Sequence, residues 1–509
     1  MKISLVALAI AAMGAVATAQ QGGCPSPRVR KEIRQLTPKE RDNYRRAIYI
    51  AHRSNKFDIF AELHVNNTEP AHGVPMFFPW HRRLLWEYEK ILSDAVEGVT
   101  LPFWDWSMDA IKPENSPVFR NDYLGGNGRQ SDNVVATGPF RFWKLTYPHD
   151  QPPHFLKRIF TPGPNNITPF WSTEALISFI KAKDNYADLH DTIEDGPHAT
   201  VHIGIGGDMV EMYSPNDPFF FLHHAMVDRI WALWQNDRSS NFYQYNGVDK
   251  FNNNRKVQAS DILPTLPSKA QLPVSDFFDT KSAGLCYVYE DNPTWTQAVK
   301  ALDQRNKSKN NLSRRAPAGN FVSSVIDFLF GSRGDDKKQP PADPVKFEES
   351  RKAAAQQAAK DLGYEGLDIS KIPKEETKLK EPMKNPDSWN KMNNLDPKKV
   401  EEIHAAGNKI IEDLNNDPNY IPVAALYNAA VSQGVVDKPG PAPTEVPPTP
   451  ETKPTENPQP SIPPSQSPSP AATPAPKPTP AKTGGNVATF TNTVTKDGVP
   501  SPVVVVVHY

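Results

Sequence analysis

Hydrophobic positions recur at helical spacing in a few stretches of this chain and thin out between them. In ERDNYRRAIYIAHRSNKF, Tyr44, Ala47, Ile48 and Ala51 share one face. HRRLLWEYEKIL aligns Leu84, Leu85, Tyr88, Ile91 and Leu92, and AMVDRIWALWQ aligns Val227, Ile230, Trp231 and Trp234. A further helix is predicted from Asp396-Pro397, a capping Asp and a first-turn Pro, after which Val400, Ile403, Ile410, Ile411 and Leu414 keep the spacing. LCYVYEDN alternates like a short strand. Long Gly/Pro/Asn loops, such as Asn121 to Pro153, join these pieces. The pattern predicts a mainly α fold, a helical-bundle core with long loops and a few short strands.

Composition then divides the chain. Residues 1–19 combine a lysine, an apolar run and the small-residue Ala17-Thr18-Ala19 site, which describes a cleaved secretory signal. The run is shorter than the roughly 20 apolar residues a membrane span needs, and no later run is longer. Residues 20–300 hold most of the Trp, Phe and His and read as the functional domain. Residues 301–383 turn polar and charged and read as an insertion, largely disordered or loosely helical. Residues 384–436 read as a helical segment packing back on the core. Residues 437–509, with 17 of the 52 prolines between Pro439 and Pro480, read as a disordered, Pro/Thr/Ser-rich tail.

The only two cysteines, Cys24 and Cys286, are expected to be bridged if the chain is exported. The sequons beginning at Asn66, Asn166, Asn306 and Asn311 agree with a secreted, extracellular glycoprotein. A net charge of −1 offers no field for nucleic acid or an anionic membrane, so neither is expected as a partner. The oligomeric state is left open.

Seven of the thirteen histidines fall in two groups. LHVNNTEPAHGVPMFFPWH holds His64, His72 and His81; PHATVHIGIGGDMVEMYSPNDPFFFLHH holds His198, His202, His223 and His224. His198 and His202 are four apart, so on a helix both project from one face. Adjacent helical residues point about 100° apart, so only one of His223 and His224 can face the same centre. Asp228 either orients a ligand imidazole, caps a nearby donor, or is a surface carboxylate paired with Arg229. The groups contain no thiolate and no obvious carboxylate, which argues against structural zinc and against a two-His-one-carboxylate iron site. Two sets of three imidazoles favour a pair of coppers able to share a dioxygen.

The segments HVNNTEPAHGVPMFFPWHRRLLWEYE, IEDGPHATVHIGIGGDM and SPNDPFFFLHHAMVDRIWALWQ resemble the copper A and copper B signatures of the type-3 copper family of tyrosinases, catechol oxidases and haemocyanins. The short secreted fungal tyrosinases and catechol oxidases are the nearest match. CPSPRVRKEIRQLTPKERDNY and LCYVYED resemble that group's opening arginine segment and closing tyrosine motif.

The resemblance implies two copper ions, copper A on His64, His72 and His81 and copper B on His198, His202 and His224, with His223 as a packing neighbour. His52 is the alternative first ligand. His149, His154, His190, His404 and His508 are assigned to loops or tail. Phe220 resembles the phenylalanine lining the dicopper floor. Glu194 matches a carboxylate that, with a side chain just after the first copper B histidine, holds a water able to deprotonate a monophenol; here that second position is Ala199, which offers no acceptor. A cysteine that many members link to the first ligand is replaced by Pro70.

These features imply a copper-dependent oxidoreductase that uses O2 to oxidise small phenolic substrates, o-diphenols in preference to monophenols. A tyrosinase with monophenol hydroxylase activity is the alternative, and a haemocyanin-like oxygen carrier the alternative of another class.

Overall fold

The computed structural model of the protein describes residues 24–264, 266, 270–310, 344–436, 487–496 and 499–508. The signal-like residues 1–19 lie outside the described residues, as does residue span 437–486 of the tail. The chain divides into two units, residues 1–445 and 446–509.

In the first unit the order is α1 (Pro38–Arg53), α2 (Ile59–Asn66), α3 (Thr68–Ala71), α4 (Phe77–Ala95), α5 (Thr173–Ala182), α6 (Tyr186–Ile193), α7 (Ala199–Ile205) and α8 (Phe219–Asp237), followed by helices over Pro293–Asn310, Pro344–Asp361, Asp387–Met392, Pro397–Asn415 and Val423–Ser432. Strands are two to three residues long in this unit and occur in isolated pairs. The fold is mainly α, as the periodicity predicts. Among the described residues no helix is long and apolar enough to cross a membrane.

The start of α1 is written in its sequence. Thr37 accepts from the Glu40 backbone N–H, and the Glu40 carboxylate accepts from the Thr37 N–H at 2.8 Å, so two otherwise orphaned donors are satisfied at once. The long helices α4 and α8 pack against each other, α4 also against α1 and α8 against α5. Both begin about a turn earlier than their polar–apolar pattern indicates, at Phe77 and Phe219. Pro79 is tolerated there because the third residue of a helix has no intrahelical acceptor for its N–H. The extra turn consists of buried aromatic residues, which period-counting alone cannot assign to a face.

Behind the helix pair sits a charged hub. Asp228, 3% exposed, accepts from Arg82 Nε at 2.5 Å and from the hydroxyls of Tyr287 and Tyr289 at 2.6 Å each. Arg30 Nη1 approaches it at 3.4 Å, and the Arg30 and Arg82 guanidinium groups lie over the rings of Tyr287 and Trp231. Of the roles open to it from sequence, Asp228 takes that of an acceptor for nearby donors, and not that of a surface partner of Arg229 or an imidazole orienter. It ties α8 to α4 and to the parallel strand pair Arg28–Arg30 and Tyr287–Tyr289. Cys24 and Cys286 form a disulfide beside that pair.

Part of the polar insertion is helical. Residues 344–383 carry the helix Pro344–Asp361 and two 3-10 turns. Its alanine-rich KAAAQQAAKD has high helix propensity, and Ala355 and Ala359 are buried. Arg351 donates to the carbonyls of Tyr420 and Thr377. Residues 311–343 lie outside the described residues.

The helices of 384–436 lie against the core. Asn385 Nδ2 donates to the Asp195 carbonyl at 2.6 Å, and the Val423 N–H to Glu174 Oε1 at 3.0 Å. Gly407 meets Trp171 so closely that a Cβ there would stand 1.8 Å from the indole Cζ3.

In the second unit Val487–Lys496 pairs antiparallel with Val499–His508, in register from Lys496↔Val499 to Val487↔His508. The reading of the tail did not include this hairpin. Alternating threonines and the run Val503 to Val507 favour strands, but the abundant prolines before them dominated the composition.

Candidate metal centre

Three histidines come together from α2, the residue after α3, and α4. His64 sits in the last turn of α2, His72 follows α3 in extended conformation, and His81 lies in the second turn of α4. Their ring centroids are 4.6 Å (His64–His72), 5.1 Å (His72–His81) and 5.5 Å (His64–His81) apart. The second group comes from the α6–α7 junction and α8. His198 closes a wide π turn, Glu194–His198, whose Pro197 has no N–H to place in a regular ladder. His202 follows on α7, and its ring lies 4.6 Å from that of His198 and 5.4 Å from that of His224. Among the described residues, His64, His72 and His81, and His198, His202, His223 and His224, are the two buried groups whose donor atoms could each hold a metal ion.

Hydrogen bonds fix which nitrogen of most rings is free. Nδ1 donates to a backbone carbonyl in His64 (Met212, 2.6 Å), His72 (Thr68, 3.1 Å), His81 (Phe77, 2.8 Å), His198 (Glu194, 3.2 Å) and His202 (Met209, 2.6 Å). The proton then sits on Nδ1, leaving the Nε2 lone pair available. Nε2 of His64 and His81 are 3.4 Å apart, and Nε2 of His202 and His224 3.3 Å. Two lone pairs facing each other at that distance repel unless a cation lies between them. The spacing is what two imidazoles about 2 Å from one tetrahedral ion subtend. The residues present therefore fit a metal in each group.

Their electrostatics agree. Burial pushes His64 down to about 4 and His202 to about 3, against the carbonyl bonds of Met212 and Met209, which act in the opposite direction. Burial, and then the neighbouring imidazoles, hold His72, His81, His198 and His224 well below the ordinary histidine range. The rings are neutral, the form in which imidazole ligates. His223 is also buried, but both its ring nitrogens lack a hydrogen-bond partner.

Phe220 packs 4.2 Å from the His224 ring and 5.1 Å from that of His64, so it touches both groups. Ala199 is fully buried and clusters with Ile203, Trp389, Leu395 and Val400. Glu194 is fully buried, and both its oxygens are engaged: Oε1 accepts from the Gly73 N–H at 2.7 Å and Oε2 meets His190 Nε2 at 2.5 Å. His52 stands apart from both groups, bonding the Lys144 carbonyl at 2.7 Å.

Three buried residues were missed from the sequence. His190 is a buried residue of α6 and not a loop residue; its Nδ1 meets Asp191 at 2.9 Å while Nε2 meets Glu194. Burial alone would lower its pKa, but the two carboxylates raise it to about 10. Its i,i+4 relation to Glu194 was the available signal. His404, likewise buried in a helix, packs against Trp171. Trp389, from the helix Asp387–Met392, lies 5.2 Å from the His202 ring and 6.1 Å from that of His198, a contact no local pattern announces. Phe77 bridges the groups on the other side, 4.6 Å from His81 and 5.0 Å from His198.

The common central domain of tyrosinase matches residues 54–237. The chain is 32% identical over 288 residues to the tyrosinase ustQ of Aspergillus flavus, covering 52% of this chain and 80% of that protein. It is 33% identical over 258 residues to grixazone synthase of Streptomyces griseus, covering 41% and 84%. Among solved structures it is similar to a variant of a polyphenol oxidase from Thermothelomyces thermophila, with a TM-score of 0.46, 24% identity, and 52% and 88% coverage. The matched domain spans both histidine groups, and a family that works with a dinuclear copper site supplies the ions these groups fit: the chain belongs to the type-3 copper tyrosinase family of copper oxidoreductases.

Proposed function

We propose that the protein is a secreted polyphenol oxidase that uses O2 to oxidise o-diphenols to o-quinones and hydroxylates monophenols poorly. In this reading His64, His72 and His81 hold copper A, and His198, His202 and His224 hold copper B. His224 is preferred over His223 because its Nε2 stands 3.3 Å from that of His202, as His81 stands to His64. When bound, the copper pair supplies the redox chemistry by which dioxygen takes electrons from a diphenol.

The chain's own residues set the preference. Phe220 and Phe77 form dry aromatic walls that touch rings of both trios and keep water from competing for the metals. Ala199, Ile203 and Trp389 give the copper B side an apolar wall against which a phenolic ring can pack. A monophenol needs help to lose its proton. Glu194 is the carboxylate in position to give it, but Gly73 and His190 occupy both its oxygens, and Ala199 has no group to hold a water beside it. A catechol, more acidic and able to chelate, depends less on that help. The double engagement of Glu194 is the observation that carries the reading.

Secretion is supported by the signal-like residues 1–19 and by the Cys24–Cys286 disulfide, which persists in oxidising compartments.

The test is a substrate pair on purified, copper-loaded protein. Catechol should give quinone colour promptly, with tyramine oxidised much more slowly than dopamine. Comparable rates on tyramine and dopamine would sink the diphenol preference, and no quinone from either would favour oxygen carriage.

A further inference from the structure

Among the six proposed ligand rings, two depend on backbone from outside their own helical turn. His72, His81 and His198 each donate Nδ1 to the carbonyl four residues earlier, so the local helix orients them. His64 and His202 instead donate to Met212 and Met209, both at 2.6 Å. One short loop, residues 206–213, thus orients one ring of each trio.

That loop is clamped to the segment 157–161. Gly206 and Gly207 have φ of 59° and 61°, and a Cβ on either would stand 2.2 Å from a backbone oxygen, of Ile159 and Lys157 respectively. The Ile159 N–H donates to the Ile205 carbonyl at 3.1 Å. Asp208, 3% exposed, closes the clamp: its N–H donates to the Lys157 carbonyl at 3.0 Å, its Oδ2 accepts from the Lys157 N–H at 2.6 Å, and its Oδ1 pairs with His154 Nε2 at 2.9 Å. The two carbonyls that orient ligand rings lie one and four residues further on.

We propose that Asp208 is a positioning residue for both metals at once, holding the loop that orients His64 on one trio and His202 on the other. The proposal rests on the ligand assignment above. Without the carboxylate the Lys157 N–H loses its acceptor and the loop its side-chain anchor, leaving only backbone bonds to the 157–161 segment, so both carbonyls shift together. Partners that orient ligands typically contribute 10- to 100-fold in metal affinity.

The experiment follows copper leaving the loaded full-length chain in the presence of excess EDTA, beside copper-free samples checked for folding by circular dichroism. Asp208→Ala should speed the loss of both ions in parallel, by about tenfold or more. Asp208→Asn should stay near wild type, because its carboxamide oxygen still accepts from Lys157 and its NH2 can donate to His154. Wild-type release from Asp208→Ala, acceleration of one ion alone, or failure of Asn to rescue would each overturn the proposal. If Asp208→Ala does not fold, His154→Ala decides: it removes half the clamp and should accelerate both ions more mildly, and unchanged release would overturn the proposal. A wild-type chain that binds fewer than two coppers would instead refute the ligand assignment.

Discussion

The imidazoles of His81 and His224 lie face to face, centroids 4.4 Å apart and planes within 9°, although they come from different histidine groups and different helices. Two protonated rings at that distance, buried, would repel strongly; neutral rings stack without penalty. The contact sets how closely α4 and α8 bring the two metal groups together.

If His224 and not His223 holds the second ion, single substitutions separate them. His224→Ala should bring the copper content of a folded, reconstituted chain from two per chain to about one, whereas His223→Ala should leave it at two. Elemental analysis after dialysis reads the result, and loss of copper from the His223 variant would reassign the ligand.

Acid should destabilise the copper-free protein. In the unfolded chain these histidines titrate near 6.5, while in the fold His64 is held down to about 4 and His202 to about 3. The unfolded state therefore binds more protons below about pH 6.5. Stability is present above that value and is lost as pH falls toward 4 and 3. The urea midpoint of apo-protein should drop between pH 7 and pH 5, and more shallowly when His64 and His202 are both replaced by Gln.

Glu194 can be released from its partners. Ala199→Asn alone should raise the tyramine-to-dopamine rate ratio little, because His190 still engages the carboxylate. Ala199→Asn combined with His190→Gln should raise it about tenfold or more, the scale of general-base assistance. Steady-state rates on the two amines decide it, and a full gain from Ala199→Asn alone would show that the His190 contact does not matter.

The docking of the distal helices has its own test. Gly407→Ala places a methyl group into Trp171, and overpacking of this kind costs about 1–3 kcal/mol. Thermal unfolding should shift down, while Ala406→Gly, one residue away and also buried, should act through cavity and helix propensity instead.

The helical faces and the two histidine groups were legible because each is local: a period of 3.6, or four residues between His198 and His202. What was hidden depended on distance along the chain. The role of Asp228 stayed open among several because its partners, Arg30, Tyr287 and Tyr289, come from far away. The helix Pro344–Asp361 was masked by its charges, although its alanines pointed to helix. His190 lay in plain view at i−4 from Glu194 and was overlooked because it stands outside both metal groups.

The contact between Trp389 and His202 has a consequence for biogenesis. Both histidine groups are complete once residue 224 has been synthesised, but the side of the second group that Trp389 covers stays open until the ribosome has delivered a segment more than 160 residues later. Until then, the nascent chain presents ligands that an ion or a donor of copper can reach from that side, and the arrival of the distal helices closes the approach.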